Sequence, residues 1–380
     1  MSADGTALII GSGVGGLSAA IALSRIGVAC EIFERGTEIG RGGTGLTLWP
    51  NALRALEKLG ITRNVTRHAD PLQRGEIFTS KGLPLTSVDL SEISRRSGMP
   101  LICLRRSDLY GALLDALPDV PIHTGKRCVS WREHADGITA QFEDGSTATG
   151  DFLVAADGIR SRLRHIMLGE DPLRYVGWMT WRGVADLPPG TFPSGLYREF
   201  FGRGSRFGIF AIRADRVYWY GTLSTEADER APVDPSHRPE ALAHFRDWPE
   251  PAATVIASTE DANLVRTGVY DTEPLPRWAK GRMAVLGDAA HPMTPDLGQG
   301  ACQAIEDALA LADSVVEGGA VPDILQRYEA RGLARTQGLV ARSRRVGKMR
   351  QWRHPLLTAL RAATMRAIPP KLLLKMFETD

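Results

Sequence analysis

Cysteine is scarce in this chain, and the four present (Cys30, Cys103, Cys128 and Cys302) stand far apart. None has the spacing of a metal knuckle, and no paired framework can be read from them, a usage that fits a reducing cytoplasm. Long apolar runs are missing too: nothing approaches the roughly 20 residues that a membrane-spanning helix needs. The apolar stretch Ala7–Leu23 lacks a basic leader and is broken by glycines, so it reads as part of a fold and not as a secretion signal. There is no internal repeat and no low-complexity linker. Hydrophobic residues make up 43% of the chain and charged ones 24%, which removes the disordered and fibrous classes. Its 380 residues suffice for one large domain or two built into each other.

A large charge surplus is also absent, since the net charge is only +2, but its distribution is uneven. Residues 341–380 hold ten Lys/Arg against two Asp/Glu, which leaves the tail at +8 and the rest of the chain at −6. That tail is amphipathic in places, with Leu356, Leu357, Leu360 and Met365. It is expected to dock on the body of the protein; covering a pocket or touching a membrane surface are the alternatives. No nucleic-acid signature is present.

What is there begins with a strand–turn–helix–strand unit. Ala7-Leu8-Ile9-Ile10 is a short apolar run of the buried parallel kind, Gly11–Gly16 is the turn, and Leu17–Ile26 shows helical spacing. Gly27 stops the helix and Val28–Phe33 resumes as a strand. A glycine-rich loop follows from Gly40 to Gly45. Asn51–Leu59 reads as a helix closed by Gly60, and Lys81-Gly82 as the turn of a hairpin reaching away from the nucleotide-binding part. Arg106–Leu117 reads as a helix with Ser107 as its N-cap. Asp136-Gly137 and Asp144-Gly145 mark two further hairpin turns, and Phe152–Ala156 is another buried strand. From Tyr175 to Leu223 the chain is aromatic and alternating, which predicts an antiparallel sheet inserted between two parts of a nucleotide-binding domain. Arg282–Leu286 returns as a core strand, Gly300–Val316 as a helix, and the C-terminus as helices broken near Pro355 and Pro369-Pro370.

Three segments carry chemistry. Gly11-Ser12-Gly13-Val14-Gly15-Gly16 places glycines where a chain must turn sharply, let a pyrophosphate touch backbone, and let a helix pack on a strand. Glu34 ends the second strand, where a carboxylate accepts the hydroxyls of an adenosine ribose. Far downstream, Asp157-Gly158-Ile159-Arg160-Ser161-Arg162-Leu163-Arg164 follows a buried strand, and Gly287-Asp288-Ala289-Ala290-His291-Pro292 follows another. Pro295 and Gly298-Gln299-Gly300 lead from the latter into a helix. Each alone is readable as a capped helix start; the three together in this order point to a dinucleotide held by a discontinuous domain.

On these motifs the chain resembles the single-component, class A flavoprotein monooxygenases of the hydroxybenzoate hydroxylase type. Thr294–Cys302 looks closest to the subgroup of urate hydroxylases and zeaxanthin epoxidase-like enzymes. The resemblance runs from about Ala7 to about Leu339. It implies an α/β fold: a Rossmann-like FAD-binding domain (1–75, 101–170 and 281–340), an antiparallel substrate domain (76–100 and 171–280), and C-terminal helices (341–380). It implies FAD, with Gly11, Gly13, Gly15 and Gly16 at the pyrophosphate, Glu34 and Arg35 on the adenosine side, and Arg106 and Asp157 also in contact. Asp288 would hold the ribityl chain, and Gly298, Gly300 and Ala301 the pyrimidine edge. It further implies NAD(P)H as a transient reductant and O2 as co-substrate. The oxygen atom would pass from a flavin C4a-hydroperoxide to a small aromatic or heteroaromatic substrate, with alkene epoxidation or plain flavin reductase chemistry as alternatives. Two positions depart from the common pattern: Cys302, which reads as packing, and Asp296, which should lie near the flavin edge.

For the substrate pocket, Arg206, Tyr218 and Asp296 are the catalytic candidates, with Trp219, Tyr220 and the run Trp178–Arg182 as lining. Period-two alternation puts Tyr218 and Tyr220 on one face and Trp219 on the other, without saying which face meets the flavin. His291 reads as structural more than as a base. A halogenase is disfavoured by the lack of a Trp-x-Trp-x-Ile-Pro stretch. A GDP-dissociation-inhibitor-like binding protein is disfavoured by the complete Gly11/Glu34/Asp157/Asp288 set.

Overall fold

A computed structural model describes residues 5–40, 44–170, 172–226 and 237–369, together with Leu372 and Leu374. The central part of the glycine-rich loop after Gly40 and the second proline of Pro369-Pro370 lie outside the described residues. In chain order, β1 (Thr6–Ile10), α1 (Val14–Arg25) and β2 (Ala29–Phe33) form the first unit, followed by β3 (Gly45–Leu48), α2 (Pro50–Lys58) and α3 (Thr62–Thr66). The hairpin β4 (Arg74–Thr79) and β5 (Pro84–Asp89) comes next. Then come α4 (Ser91–Ser97), β6 (Ile102–Arg105), α5 (Arg106–Ala116) and β7 (Ile122–His123). A three-stranded meander, β8 (Cys128–Glu133), β9 (Ile138–Phe142) and β10 (Thr147–Gly150), precedes β11 (Phe152–Ala155) and α6 (Arg162–Leu168). The long strands are β12 (Arg174–Asp186), β13 (Leu196–Phe201), β14 (Ser205–Arg213) and β15 (Arg216–Ser224), followed by α7 (Arg238–Phe245), α8 (Ala252–Ala257) and β16 (Leu264–Asp271). The chain closes with β17 (Ala279–Lys280), β18 (Met283–Val285), α9 (Gly300–Val316), α10 (Val321–Arg350) and α11 (Pro355–Ala367).

The first sheet has the order β17-β18-β11-β1-β2-β7, with β18, β11, β1, β2 and β7 parallel to one another. Parallel strands covered on both faces must be apolar throughout, and Ala7, Leu8, Ile9, Phe152, Leu153, Val154 and Met283–Val285 are all buried. Helix α1 begins at Val14, three residues earlier than the apolar spacing suggests. Gly15 and Gly16 therefore lie inside its first turn, and their lack of a side chain is what lets the turn sit on the sheet. A Cβ at Gly16 would stand 1.9 Å from the Gly11 carbonyl oxygen.

The second sheet has the order β16-β12-β15-β14-β13-β4-β5. It is antiparallel except at one seam, where β4 lies parallel to β13 with Arg74 opposite Leu196 and Thr79 opposite Phe201. The Lys81-Gly82 hairpin, formed by β4 and β5, extends this second sheet. The pairing joins segments more than a hundred residues apart, for which neither strand carries a local signal. One correction concerns α5, whose N-cap is Arg105; Ser107 lies within the first turn.

The second sheet is sided. Met179, Trp181, Phe200, Phe207, Ile209 and Trp219 pack with Phe245, Val255 and Ile256 of α7 and α8 into a core of their own. Tyr218 belongs instead to the main core, with Tyr197, Phe210 and Tyr220 packed against it. The alternation of β15 is thereby resolved: Trp219 faces α7 and α8, while Tyr218 and Tyr220 face the first domain.

Helix α10 crosses the body at Gly332, where a Cβ would stand 2.0 Å from the Trp278 ring. Gly332→Ala is expected to force these elements apart and destabilise the fold by about 1–3 kcal/mol. Urea unfolding followed by tryptophan fluorescence checks this.

Candidate active site

The nucleotide end is built by backbone geometry. Gly11 has φ +105°, and a Cβ there would stand 2.4 Å from the Ala156 carbonyl oxygen, so only glycine turns the chain between β1 and α1. Gly15 packs α1 against Leu286, to which a Cβ would come within 2.6 Å. Gly13 differs from both: its added Cβ would meet nothing nearer than the Tyr110 hydroxyl at 3.8 Å, which leaves its backbone open to a ligand. Glu34 is held ready beside it. The Ser12 N–H and hydroxyl both donate to Oε2 at 2.9 Å, and the Gly36 N–H donates to Oε1 at 2.8 Å. Burial works against ionisation of Glu34, but those hydrogen bonds and the Arg35 charge outweigh it and hold the carboxyl below the ordinary glutamate value. Arg35 and Arg106 are both exposed, and the Arg106 guanidinium lies over the Tyr110 ring at 5.7 Å.

The two downstream motifs are fastened to each other by one buried side chain. Asp157 Oδ2 accepts from the Arg162 N–H at 3.0 Å, and Ser161 caps α6 by accepting from the Arg164 N–H at 2.9 Å. Arg164 itself is fully buried. It donates to the Ile159 carbonyl at 2.8 Å and across to the Asp288 and Ala289 carbonyls, each at 3.3 Å. Asp288 is thus positioned through its backbone while its carboxylate stays exposed, with Oδ1 3.7 Å from where a Cβ at Gly300 would stand. Gly300 and Ala301 open α9, so free N–H groups lie beside that carboxylate. Gly298 has φ +65°, and a Cβ there would stand 2.7 Å from Thr47 Oγ1. Cys302 is fully buried, and burial pushes its thiol up to about 12, as suits packing. His291 is likewise occupied: its Nε2 lies 2.7 Å from Asp307 Oδ2, which also accepts from the Gly287 N–H at 2.9 Å. That pair braces the motif against α9.

The open Gly13 backbone, the pre-set Glu34, the unshielded Asp288 and the start of α9 are chemically suited to FAD, whose phosphates would lie at α1, ribose at Glu34, ribityl chain at Asp288 and ring beside Gly298–Ala301.

Next to that ring position, side chains from β13, β14, β15, the loop before α9 and α10 converge. Arg206 on β14 is 2% exposed, and its two terminal nitrogens donate to Asp296 Oδ1 at 2.7 Å and Glu199 Oε1 at 3.1 Å. Its guanidinium lies over the Tyr220 ring at 5.5 Å. The Tyr220 hydroxyl also donates to Glu199 Oε1, and the Tyr197 hydroxyl donates to Oε2 at 2.6 Å. From α10, Arg350 donates to the Asp296 carbonyl at 3.0 Å, and Ser343 to the Thr294 carbonyl at 2.7 Å. Gly347 lets the helix approach, since a Cβ there would stand 2.4 Å from Asp296 Oδ2 and 3.0 Å from the Trp178 ring. Burial alone would push Glu199 up, but the Arg350 and Arg206 charges hold it below the ordinary range. Tyr218 is buried, stacks on Phe210 at 5.8 Å, and has its phenol pushed up to about 12 by burial. Arg206, Tyr220 and Asp296 are therefore brought into one cluster. Trp219 is excluded from it, and Trp178 and Trp181 of the aromatic run fall on opposite faces of β12. Sequence reasoning passed over Glu199 and Arg350, because a single Glu in a strand and a single Arg in a basic helix carry no local mark.

A Rossmann-like sheet with three nucleotide-binding turns, faced by a sided sheet that closes over the ring position, defines a single-chain, FAD-dependent monooxygenase. The chain belongs to the FAD binding domain family, whose model matches residues 4–343. It is 37% identical over 361 residues to the aurachin C monooxygenase/isomerase of Stigmatella aurantiaca, covering 95% of this chain and 94% of that protein. It is 33% identical to the FAD-dependent urate hydroxylase of Klebsiella oxytoca, covering 89% and 88%. The crystal structure of Klebsiella pneumoniae HpxO complexed with FAD and uric acid superposes with a TM-score of 0.91 at 31% identity, covering 98% of this chain and 95% of that one. FAD is the cofactor, and NAD(P)H is the reductant typical of the class. No helix among the described residues is long and apolar enough to cross a membrane.

Asp288→Ala removes the exposed carboxylate without touching the Arg164 bridge to its backbone. The variant is expected to fold but to lose most of its flavin, read as the ratio of absorbance at 450 to 280 nm of the purified protein, at roughly tenfold weaker FAD affinity.

Proposed function

We propose that this chain inserts one oxygen atom into a small planar aromatic or heteroaromatic substrate lying between the Tyr218/Tyr220 face of the second sheet and the flavin ring. The observation that carries this reading is the buried Arg206–Asp296 pair, which joins that face to the loop opening α9. Two of its atoms, Arg206 Nε and Asp296 Oδ2, are buried without a hydrogen-bond partner. Oδ2 is covered by α10 at Gly347, so the support this pair gives is positional: it fixes a buried cation beside the Tyr220 ring, on the face proposed to meet the substrate.

When bound, FAD accepts hydride from NAD(P)H and activates O2; the chain's residues supply the rest. Arg206 orients the substrate and offsets negative charge on a ring oxygen. The Tyr218 phenol, protonated at neutral pH, donates to a substrate oxygen, and the Phe210 and Tyr218 rings give the substrate flat surfaces to stack on. Gly298, Gly300 and Ala301 present the positive end of α9 to the pyrimidine edge, where negative charge resides after reduction. Glu34, with Arg35 and Arg106 at the adenosine side, and Asp157 with Asp288 at the centre, keep the cofactor in register. Helix α10 closes the pocket on the side of Asp296 and limits access of water. The relatives named for urate and for 3-amino-4-hydroxybenzoate support a ring substrate.

NAD(P)H consumption in air against a panel of phenols, heteroaromatics and polyenes tests the proposal, with ¹⁸O₂ incorporation followed by mass spectrometry. One ring compound is expected to raise consumption and gain a single labelled atom. Activity confined to polyenes would replace the ring by an alkene. In the same assay Arg206→Ala is expected to keep FAD while product formed per NAD(P)H falls about tenfold or more, the remainder appearing as peroxide. Unchanged coupling would remove Arg206 from the substrate site.

A further inference from the structure

Helix α11 presents an apolar face that the body of the protein leaves uncovered. Its inner side is firmly seated. Arg361 is buried over the Phe201 ring at 4.9 Å and donates to the Gly202 carbonyl at 2.7 Å and the Arg350 carbonyl at 2.6 Å. Met365, one turn on, packs with Ile77, Leu85 and Phe201. With residues 361 and 365 turned inward, the helical period sends Leu356, Leu360, Ala363 and Ala367 outward. Leu356 is 74% exposed, Leu360 57% and Leu357 39%. The neighbouring hairpin turn, tied to α11 by Arg366 donating to the Pro84 carbonyl at 3.4 Å, adds Leu83 at 56%. Large exposed apolar side chains are few among the described residues, and most of them gather here. Because Arg361 and Met365 fix the helix, it cannot roll to bury these leucines against its own chain.

The charges on this helix are all cationic, and the carboxylate beside them is Glu226, 4.0 Å from Arg353 at the start of α11. Lys81, Arg353, His354 and Arg366 flank it and are exposed. Between Ala330 and Phe377 the sequence contains no Asp or Glu but twelve Lys/Arg. A second copy of the chain docked here about a two-fold axis would set Arg353 and Arg366 against their own counterparts, with no carboxylate on the helix to separate them. An anionic, apolar-cored surface answers both features. We propose that α11 and the adjoining hairpin turn form a peripheral docking site for anionic phospholipid membranes, with the leucines entering the acyl boundary and the flanking cations meeting headgroups. This goes beyond the hydroxylase reading and does not depend on the substrate.

The test uses the flavin-loaded full chain and extruded vesicles of phosphatidylcholine, with or without one third phosphatidylglycerol, followed by co-sedimentation at low and at 0.5 M salt. Binding to the anionic vesicles is expected, weaker on neutral ones and reduced by salt. The exposed double variant Leu356→Gln/Leu360→Gln should lower partitioning by about tenfold or more while flavin content and unfolding midpoint stay those of the parent chain. Arg353→Gln/Arg366→Gln should lower it on anionic vesicles only. No sedimentation at millimolar lipid overturns the proposal, and equal binding to both vesicle types overturns the choice of an anionic surface. A dimer by light scattering that the leucine double variant dissociates would show that a second copy covers this face instead.

Discussion

The guanidinium of Arg206 is the buried charge through which the second sheet is keyed to the loop before α9. It comes from the second sheet, yet one of its partners, Asp296, belongs to the loop that leads into α9. A charge buried this deeply is tolerated only when it is paired and hydrogen-bonded. Arg206 meets that condition with two carboxylates, each fully buried. Exchanging such a set for apolar side chains of similar volume need not cost stability, whereas removing one member strands a charge at about 3–5 kcal/mol. The set is therefore better understood as a register device: it allows one placement of the sheet over the loop.

Arg164 plays the corresponding part for the cofactor. The segments around Asp157 and Asp288 are more than a hundred residues apart, and its guanidinium spans the backbone of both. Asp307 adds a second clamp through His291 and Gly287. A flavin held by several distant turns needs those turns fixed to one another before it binds, since ordering them on binding would weaken affinity. Buried side chains that touch carbonyls, and not the cofactor, perform that task.

The C-terminal helices do two different things with one charge excess. Helix α10 spends its cations inward: Arg344 pairs with the buried Asp271 at 2.5 Å, and Arg350 reaches Asp296. Helix α11 buries Arg361 and turns its leucines out. Arg345 and Lys348 of α10 stay exposed, and α11 is seated on one side only, through Arg361 and Met365.

The amino-acid sequence by itself determined the nucleotide-binding architecture, because its devices are local. Glycines with no room for a Cβ, a carboxylate at a strand end and an apolar run of four residues each act on their immediate neighbours, and α9 runs over Gly300–Val316 as its pattern reads. The strands β12 to β15 of the second sheet were equally legible from alternation, whereas its edge strand β16 was not read. Three things had to wait for the tertiary structure. The parallel seam between β4 and β13 depends on which distant strand arrives at an open edge. The facing of Tyr218 and Tyr220 depends on which side α7 and α8 cover, since a period of two labels two faces without naming them. The convergence of Glu199, Arg206, Asp296 and Arg350 depends on β13, β14, the loop before α9 and α10 meeting at one point. Each member is an ordinary charged residue in its own segment, and only mutual burial, which no local pattern encodes, turns the four into a site.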